Sequence, residues 1–480
     1  MWWKRERRED ALVMSPRKKV TVLGAGMAGL AAAYELEALG HEVEVIEASP
    51  RVGGRVYTHR FGDGPDAPLV ELGAMRIPAQ HRHTLDYIEK LGLSHKLREF
   101  RTLFSDDGAY HRTRAGFVRV RDAAKVLVED YQELMADDLK DETVLFGAWI
   151  TAIGDAIAPG SFMQELRPDF AALLEAVDLI DITPFLVGEA HDQIDLHAFF
   201  AAHPEVRTSG TGRINHFIGD ILDETSAGLR RLEGGMDQIA TALAGRITGP
   251  IRTGHEVRGI SVHDDHVTVT ISNGLALRCD HVLSTIPFSV LRKLDLEGFS
   301  EDKLAILDEV THWPATKIGF LCRDAFWERD GINGGASYGG GHIRQTYYPA
   351  VEGDPARGAA LLASYTIGAD AAVLDDLPEA ERHALVLDEV AGMHPELLED
   401  GMFVEAVSLP WGKYPWSSGA GVLRWNKDEA ACLEERDRAA RPERGRLFFA
   451  GEPCATVTGW IDGAIESAQR AVRFIEETGR

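Results

Sequence analysis

The hydrophobic pattern changes period twice between Val20 and Glu47. Val20–Leu23 is an apolar run too short for a helix and ended by Gly24, which predicts a buried strand. Met27–Leu39 then places its apolar positions at helical spacing and stops at Gly40. Glu42–Ile46 predicts a second strand, and the acidic Glu47 follows it. Gly24, Gly26 and Gly29 write G-x-G-x-x-G across the first strand-to-helix turn. Gly24 permits the tight turn, Gly26 lets backbone approach a pyrophosphate, and Gly29 lets helix and strand pack closely. The helix N-terminus presents partial positive charge to phosphates, and Glu47 stands at the distance of a ribose acceptor. The stretch predicts a βαβ unit that binds a dinucleotide, and leaves FAD and NAD(P) open.

Further along, the pattern alternates between helical and period-2 stretches. Thr84–Leu91 reads as helix and Phe104–Val120 as hairpin. From Ala123 to about Phe217 helical spacing dominates. Leu232–Leu243 is a Gly-Gly turn opening a helix. Ile251–Thr270 alternates, with Asp264-Asp265 and Asn273-Gly274 as hairpin turns. Strands are expected at His281–Thr285, at the apolar run from Lys317, at Ala360–Ala369 and at Leu447–Ala450. Asp462 is placed to cap the helix that closes the chain.

Length and composition narrow the class. At 480 residues the chain exceeds one core, so two or three domains are expected. A hydrophobic content of 45% with 26% charged residues is that of a globular protein. A net charge of −25 argues against nucleic acid and anionic membrane as partners. No apolar run approaches the ~20 residues of a membrane span. Cys279, Cys322, Cys432 and Cys454 lack metal spacing and read as reduced thiols in a cytoplasmic protein. Residues 1–16 are charged, carry no long apolar segment and are expected to be a disordered tail.

Candidate chemistry sharpens the dinucleotide reading. After Glu47, the segment Ala48–Thr58 combines Gly53 and Gly54 with Arg51 and Arg55, which suits a second set of phosphate contacts and favours FAD. Val70–Pro78, VELGAMRIP, brings Arg76 out of a Gly-Ala turn, where a guanidinium can clamp a carboxylate in two-point fashion or pair with a nearby acid. Glu189, His191, Asp192, Asp195 and His197 cluster in the helical stretch and read as solvated charge rather than a metal site, with a contact to a basic substrate as a weaker idea.

On these motifs the chain resembles the flavin-containing amine oxidase family, and ELGAMRIP at Glu71–Pro78 is similar to its L-amino acid oxidase branch. The resemblance spans Lys19–Phe474. It implies an α/β amine oxidase fold: a Rossmann-like FAD-binding domain (17–75, 234–310 and 440–480), a mixed-sheet substrate domain (76–125 and 311–439) and a helical insertion (126–233). It implies that Arg76 holds the substrate carboxylate, with Tyr365 as a phenolic second contact. Lys317 is expected beside flavin N5, holding a water and favouring negative charge on reduced flavin and on superoxide. The Gly459 carbonyl would receive the ammonium and Trp460 would wall the substrate. Val257 would meet the adenine, and Glu452, after Gly451, the ribityl-phosphate. FAD contacts are carried over as well onto Ala28, Ala48, Gly54, Gly73, Ala74, Met75 and Ile461.

Ser417–Val422 has no cysteine, so FAD is expected to be non-covalent. Trp411, Tyr414 and Trp416 either line an aromatic funnel or pack, and packing is expected for at least two. No histidine between Ile221 and Gly234 matches the base proposed in some relatives, which puts a histidine-dependent deprotonation in doubt. The implied reaction is oxidation of an L-α-amino acid by hydride transfer to flavin N5, giving the 2-oxo acid, ammonia and, with O2, H2O2. Oxidative decarboxylation by a monooxygenase, an amine or polyamine oxidase, and a catalytically dead flavin-binding module stay open. So does the oligomeric state, with a homodimer common in the family.

Overall fold

The computed structural model describes residues 16–131, 139–158, 160–209, 212–425 and 427–478. The tail expected at 1–16 lies, but for Pro16, outside them. A five-stranded parallel sheet carries the dinucleotide fingerprint. Its order is Ile251–Arg252, Glu42–Ile46, Lys19–Leu23, His281–Ser284 and Leu447–Phe449. Both faces of the central strands are covered, so Val20, Val22 and Leu23 are fully buried and the run reads as continuously apolar. Helix Met27–Ala38 packs on one face together with the closing helix Ile461–Glu477. Their close approach explains the small residues Ala28, Ala31, Ala32 and Ala33 on one helix and Ala468 and Ala471 on the other, all buried.

A four-stranded sheet adjoins this unit. Ala276–Cys279, Val267–Ile271 and Val257–Val262 run antiparallel through the two expected turns, and Asp295–Glu297 adds a parallel edge. A seven-stranded mixed sheet builds the second layer, in the order Phe403–Pro410, Ala315–Cys322, Ala359–Ile367, Arg344–Tyr347, Ala336–Gly340, Tyr110–Thr113 and Gly116–Arg119. Ala315–Cys322 is flanked by Phe403–Pro410 and Ala359–Ile367 and is buried at every position. Helices Asp141–Ile157, Gly160–Val177 and Gly212–Glu224 form the helical part, whose apolar cluster continues into the mixed sheet through Tyr347 and Leu362. No helix among the described residues is long and apolar enough to cross a membrane.

Two local expectations change. The N-cap of the closing helix is Trp460, with no side-chain cap. Asp462 instead accepts from the backbone N–H and hydroxyl of Thr84, at 2.9 and 3.2 Å, tying helix Arg82–Lys90 to the dinucleotide unit. The cluster from Glu189 to His197 is not one solvated helix. It spans a turn, the short strand Gln193–Ile194 and the start of helix Leu196–Ala202, which Asp195 caps through the Ala198 N–H at 2.9 Å. None of its five residues lines the central cavity, so a role toward a basic substrate loses its basis.

Candidate active site

One cavity of about 340 Å³ runs from the glycine turn to the mixed sheet. At its first end stand Gly24, Gly26, Ala28, Glu47, Ala48, Gly54 and Val257. Gly24 has φ +104°, a conformation that favours glycine. A Cβ on Gly29 would collide with the Gly24 carbonyl oxygen, so this glycine serves helix-to-strand packing and does not itself line the cavity. A Cβ on Gly26 would meet only the Gly54 Cα, at 3.9 Å, beside the open cavity. The two positions therefore predict different failures. Gly29→Ala is expected to lower the melting temperature of FAD-free protein, because overpacking against backbone costs about 1–3 kcal/mol or more. Gly26→Ala is expected to keep that melting temperature and to lose at least about tenfold in FAD affinity through a blocked pyrophosphate approach. Flavin absorbance per chain beside thermal melts separates them.

Glu47 closes the turn on itself. Its carboxylate accepts from the N–H groups of Ala25 at 2.6 Å and Ser49 at 2.7 Å. Burial raises its pKa, and these backbone donors oppose the rise. Arg51 is not aimed into the cavity. Its guanidinium donates to the carbonyls of Val52, Val56 and Gly54 and lies over the Tyr57 ring at 4.5 Å, so it braces the Gly53-Gly54 loop. Arg55 does line the cavity, donating to the Ala420 carbonyl at 2.8 Å and pairing with Glu452. Glu452 also accepts from Val422 N–H at 2.8 Å and Gly459 N–H at 2.7 Å. Burial would raise the Glu452 pKa, but the Arg55 charge holds it below the ordinary value. One buried carboxylate thus ties together three segments of the cavity wall, at residues 55, 420–422 and 459.

The middle of the cavity is set by Gly73, Ala74 and Met75, with Gly451, Trp460 and Ile461 lining it too. A Cβ on Gly73 would collide with the Arg55 carbonyl, so the two backbones lie in contact there. Lys317 reaches this turn from the buried strand, its Nζ 2.7 Å from the Gly73 carbonyl and 3.3 Å from Met75 Sδ. Burial, helped by the Arg76 charge, pulls its pKa down to about 7. Glu71, half-buried, is pushed up to about 7 by desolvation while accepting from Met236 N–H and the Thr58 hydroxyl.

Arg76 marks the far end. It is 7% exposed, donates to the Tyr347 hydroxyl at 2.6 Å and pairs with Glu224. Its guanidinium lies between the rings of Phe100, Tyr347 and Trp460 at 5.7–5.9 Å. Burial disfavours the cation, yet Glu224 and Tyr347 hold its pKa above the ordinary arginine value. Tyr365 lines the cavity with its ring 4.5 Å from Lys317 Nζ, and burial raises its pKa to about 12. The phenol bonded to Arg76 is therefore Tyr347, and Tyr365 faces the lysine.

Trp411, Tyr414 and Trp416 all line the cavity, against the expectation that at least two only pack. Their rings step edge to face at 5.2 and 5.4 Å, and Trp411 Nε1 donates to the Leu72 carbonyl at 2.7 Å, so each ring both packs and presents a face. Sequence reasoning also missed a polar stripe on helix Gly212–Glu224. His216, Asp220 and Glu224 stand four residues apart and all line the cavity. Asp220 accepts from Trp425 Nε1 at 2.7 Å, and burial raises its pKa to about 7. His216 is lowered by burial and by the Arg424 charge. It lies five residues before the Ile221–Gly234 window in which a histidine was sought, and the i, i+4, i+8 spacing was the readable signal.

These surroundings fit a flavin dinucleotide. Gly26 leaves an open cradle, and the N-termini of helices Met27–Ala38 and Ile461–Glu477 open on the cavity without side-chain caps. None of the four cysteines, all free and buried, lines it, in keeping with non-covalent attachment. No group of three or more potential metal ligands occurs among the described residues.

Fold and site together define a dinucleotide-dependent oxidoreductase whose cofactor groove ends at a buried cation. Residues 27–475 match the family model of flavin containing amine oxidoreductases, and the chain belongs to that family. It is 70% identical over 464 residues to the flavin-dependent L-tryptophan oxidase RebO of Lentzea aerocolonigenes, covering 96% of this chain and 98% of that one. It is 29% identical to an L-amino-acid oxidase of Vipera ammodytes ammodytes, covering 95% and 92%. In fold it is similar to a putrescine oxidase structure with bound putrescine, at TM-score 0.64 and 20% identity over 96% of this chain and 99% of that one. The amine oxidase fold, the flavin cofactor and the reading as an FAD-dependent L-amino acid oxidase are borne out.

Proposed function

We propose that this flavoenzyme oxidises an L-α-amino acid with an indole side chain, L-tryptophan first among them, to the 2-oxo acid. The observation that carries the reading is Arg76, a cation buried among aromatic rings at the end of the flavin groove. Decarboxylated amines offer nothing for it to hold. The identity of 70% to an L-tryptophan oxidase supports the side chain. So does the lining itself, where Ile157, Ile367, Leu423 and Trp425 present apolar surface in one cluster with Tyr365.

In this reading Arg76 takes the α-carboxylate, with Tyr347 completing the grip, and the Gly459 carbonyl takes the ammonium. Binding energy at the carboxylate aims Cα–H along the groove. Trp460 and the Trp411–Tyr414–Trp416 steps exclude water from it. The amine must be neutral when its hydrogen leaves, and burial and the Arg424 charge favour the neutral form of His216, the form that a proton acceptor needs. Lys317 holds a proton or a water at the Gly73 turn. The chemistry that flavin supplies when bound is acceptance of hydride and its return to O2 as H2O2. O2 as acceptor, a homodimer and a cytoplasmic location, which suits four free cysteines, belong to the same proposal.

H2O2 release across the common L-amino acids, with tryptamine and D-tryptophan as controls, tests it. L-Tryptophan is expected to give the highest kcat/KM and the two controls almost none. Activity on tryptamine alone would replace the reading by an amine oxidase. An amide in place of the 2-oxo acid would replace it by a monooxygenase.

A further inference from the structure

Arg76, the proposed carboxylate clamp, already holds a carboxylate. Its two polar partners are the Tyr347 hydroxyl and the Glu224 carboxylate. A buried guanidinium left without a counter-charge is strongly unfavourable, so an open site needs a stand-in. We propose that Glu224 is that stand-in: it occupies the substrate-carboxylate position on Arg76 in the empty site and is displaced by the incoming amino acid. This rests on the reading of Arg76 given above.

The geometry supports exchange rather than a fixed brace. Glu224 is the last residue of helix Gly212–Glu224, so its side chain lies at a terminus and not in a packed turn. Its backbone is anchored separately, the Thr102 hydroxyl donating to the Glu224 carbonyl at 2.9 Å. The side chain can therefore swing out without moving the helix end. The Glu224 side chain keeps 18% exposure against 6% for that of Arg76, so the carboxylate has a route to water that the guanidinium lacks. Tyr347 stays bonded to Arg76 whichever carboxylate is present. A fixed structural pair such as Arg424–Glu435 looks different: Arg424 also donates to the carbonyls of Ala455 and Pro453, and both side chains are almost completely buried.

The exchange predicts that Glu224 competes with every carboxylate ligand. Holoenzyme is titrated with indole-3-propionate, which keeps the carboxylate and lacks the ammonium, and with indole, which lacks both. Binding is read by flavin absorbance and calorimetry. Glu224→Gln replaces the ion pair by a weaker bond from the guanidinium to a neutral amide oxygen and is expected to tighten indole-3-propionate about tenfold, with indole unchanged. Glu224→Asp keeps the charge but is one methylene too short to hold Arg76, and is expected to tighten it as well. Tightening in Gln alone would reduce Glu224 to a through-space charge and overturn the proposal. Unchanged or weaker binding in both variants would overturn it too. Arg76→Met separates the two readings. If indole-3-propionate binds Arg76→Met as it binds the parent enzyme, the clamp itself falls. If Arg76→Met loses it and the Glu224 variants gain nothing, only the stand-in falls.

Discussion

Arg76→Met is expected to raise KM for L-amino acids by two or more orders of magnitude while FAD stays bound. Removing one partner of a buried, hydrogen-bonded charge pair costs about 2–5 kcal/mol, or roughly thirty- to several-thousand-fold. Arg76 should lie at the upper end, because its guanidinium donates at two of its nitrogens and lies among three aromatic rings. Methionine follows the arginine stem, so the rings keep a packing partner and the effect reads the charge. Arg76→Lys is the informative companion. It restores charge without the planar fork and should recover only part of the loss. Flavin absorbance per chain monitors FAD, and steady-state H2O2 release monitors KM. An unchanged KM in Arg76→Met, with flavin retained, would remove the carboxylate role altogether.

The dinucleotide half of this site was legible because its signals are local. Gly24, Gly26 and Gly29 answer to backbone approach within six residues, and Glu47 follows one helix later. Strand Lys19–Leu23 is buried from Val20 to Leu23 because helices cover one face and the four-stranded sheet the other, and the short run of buried positions is visible locally in the sequence. The substrate half was only partly legible. Arg76 stood out beside a glycine turn, but its partners come from residues 224 and 347, brought in by a helix end and a mixed sheet. No spacing rule links them to position 76. Tyr347 and Tyr365 sit on neighbouring strands with an irregular register between them, so motif position alone could not tell which phenol meets the guanidinium. His216, Asp220 and Glu224 were hidden for another reason. A polar stripe on a helix ordinarily faces water, and here it faces the cavity. Arg51 shows the converse. A basic residue in a glycine loop looked like a phosphate ligand and instead satisfies the loop carbonyls.

Lys317→Met is expected to stabilise the FAD-free protein, and more at pH 6 than at pH 9. The Lys317 pKa is pulled from 10.5 down to about 7 by burial and the Arg76 charge. Below pH 7 folded and unfolded chains both carry the proton, and folding must desolvate the full ammonium. Between pH 7 and 10.5 the unfolded chain keeps the proton while the folded chain has lost it, so the unfolded state binds more protons and stability rises with pH. The penalty of the buried lysine is thus largest below pH 7 and fades as pH climbs toward 10.5. Each unit in that window is worth about 1.4 kcal/mol, so the methionine advantage should shrink by a few kcal/mol from pH 6 to pH 9. Methionine also loses the bond to the Gly73 carbonyl, a cost of about 1–3 kcal/mol whose charge-dependent part is already contained in the shifted pKa. Glu71 also titrates near pH 7 and feels Lys317, so Glu71→Gln serves as the background in a second pair of variants. Denaturant titrations at the two pH values measure the gap. A gap that does not change with pH would mean that the Lys317 ammonium is solvated, and would remove the basis for a proton or water held at the Gly73 turn.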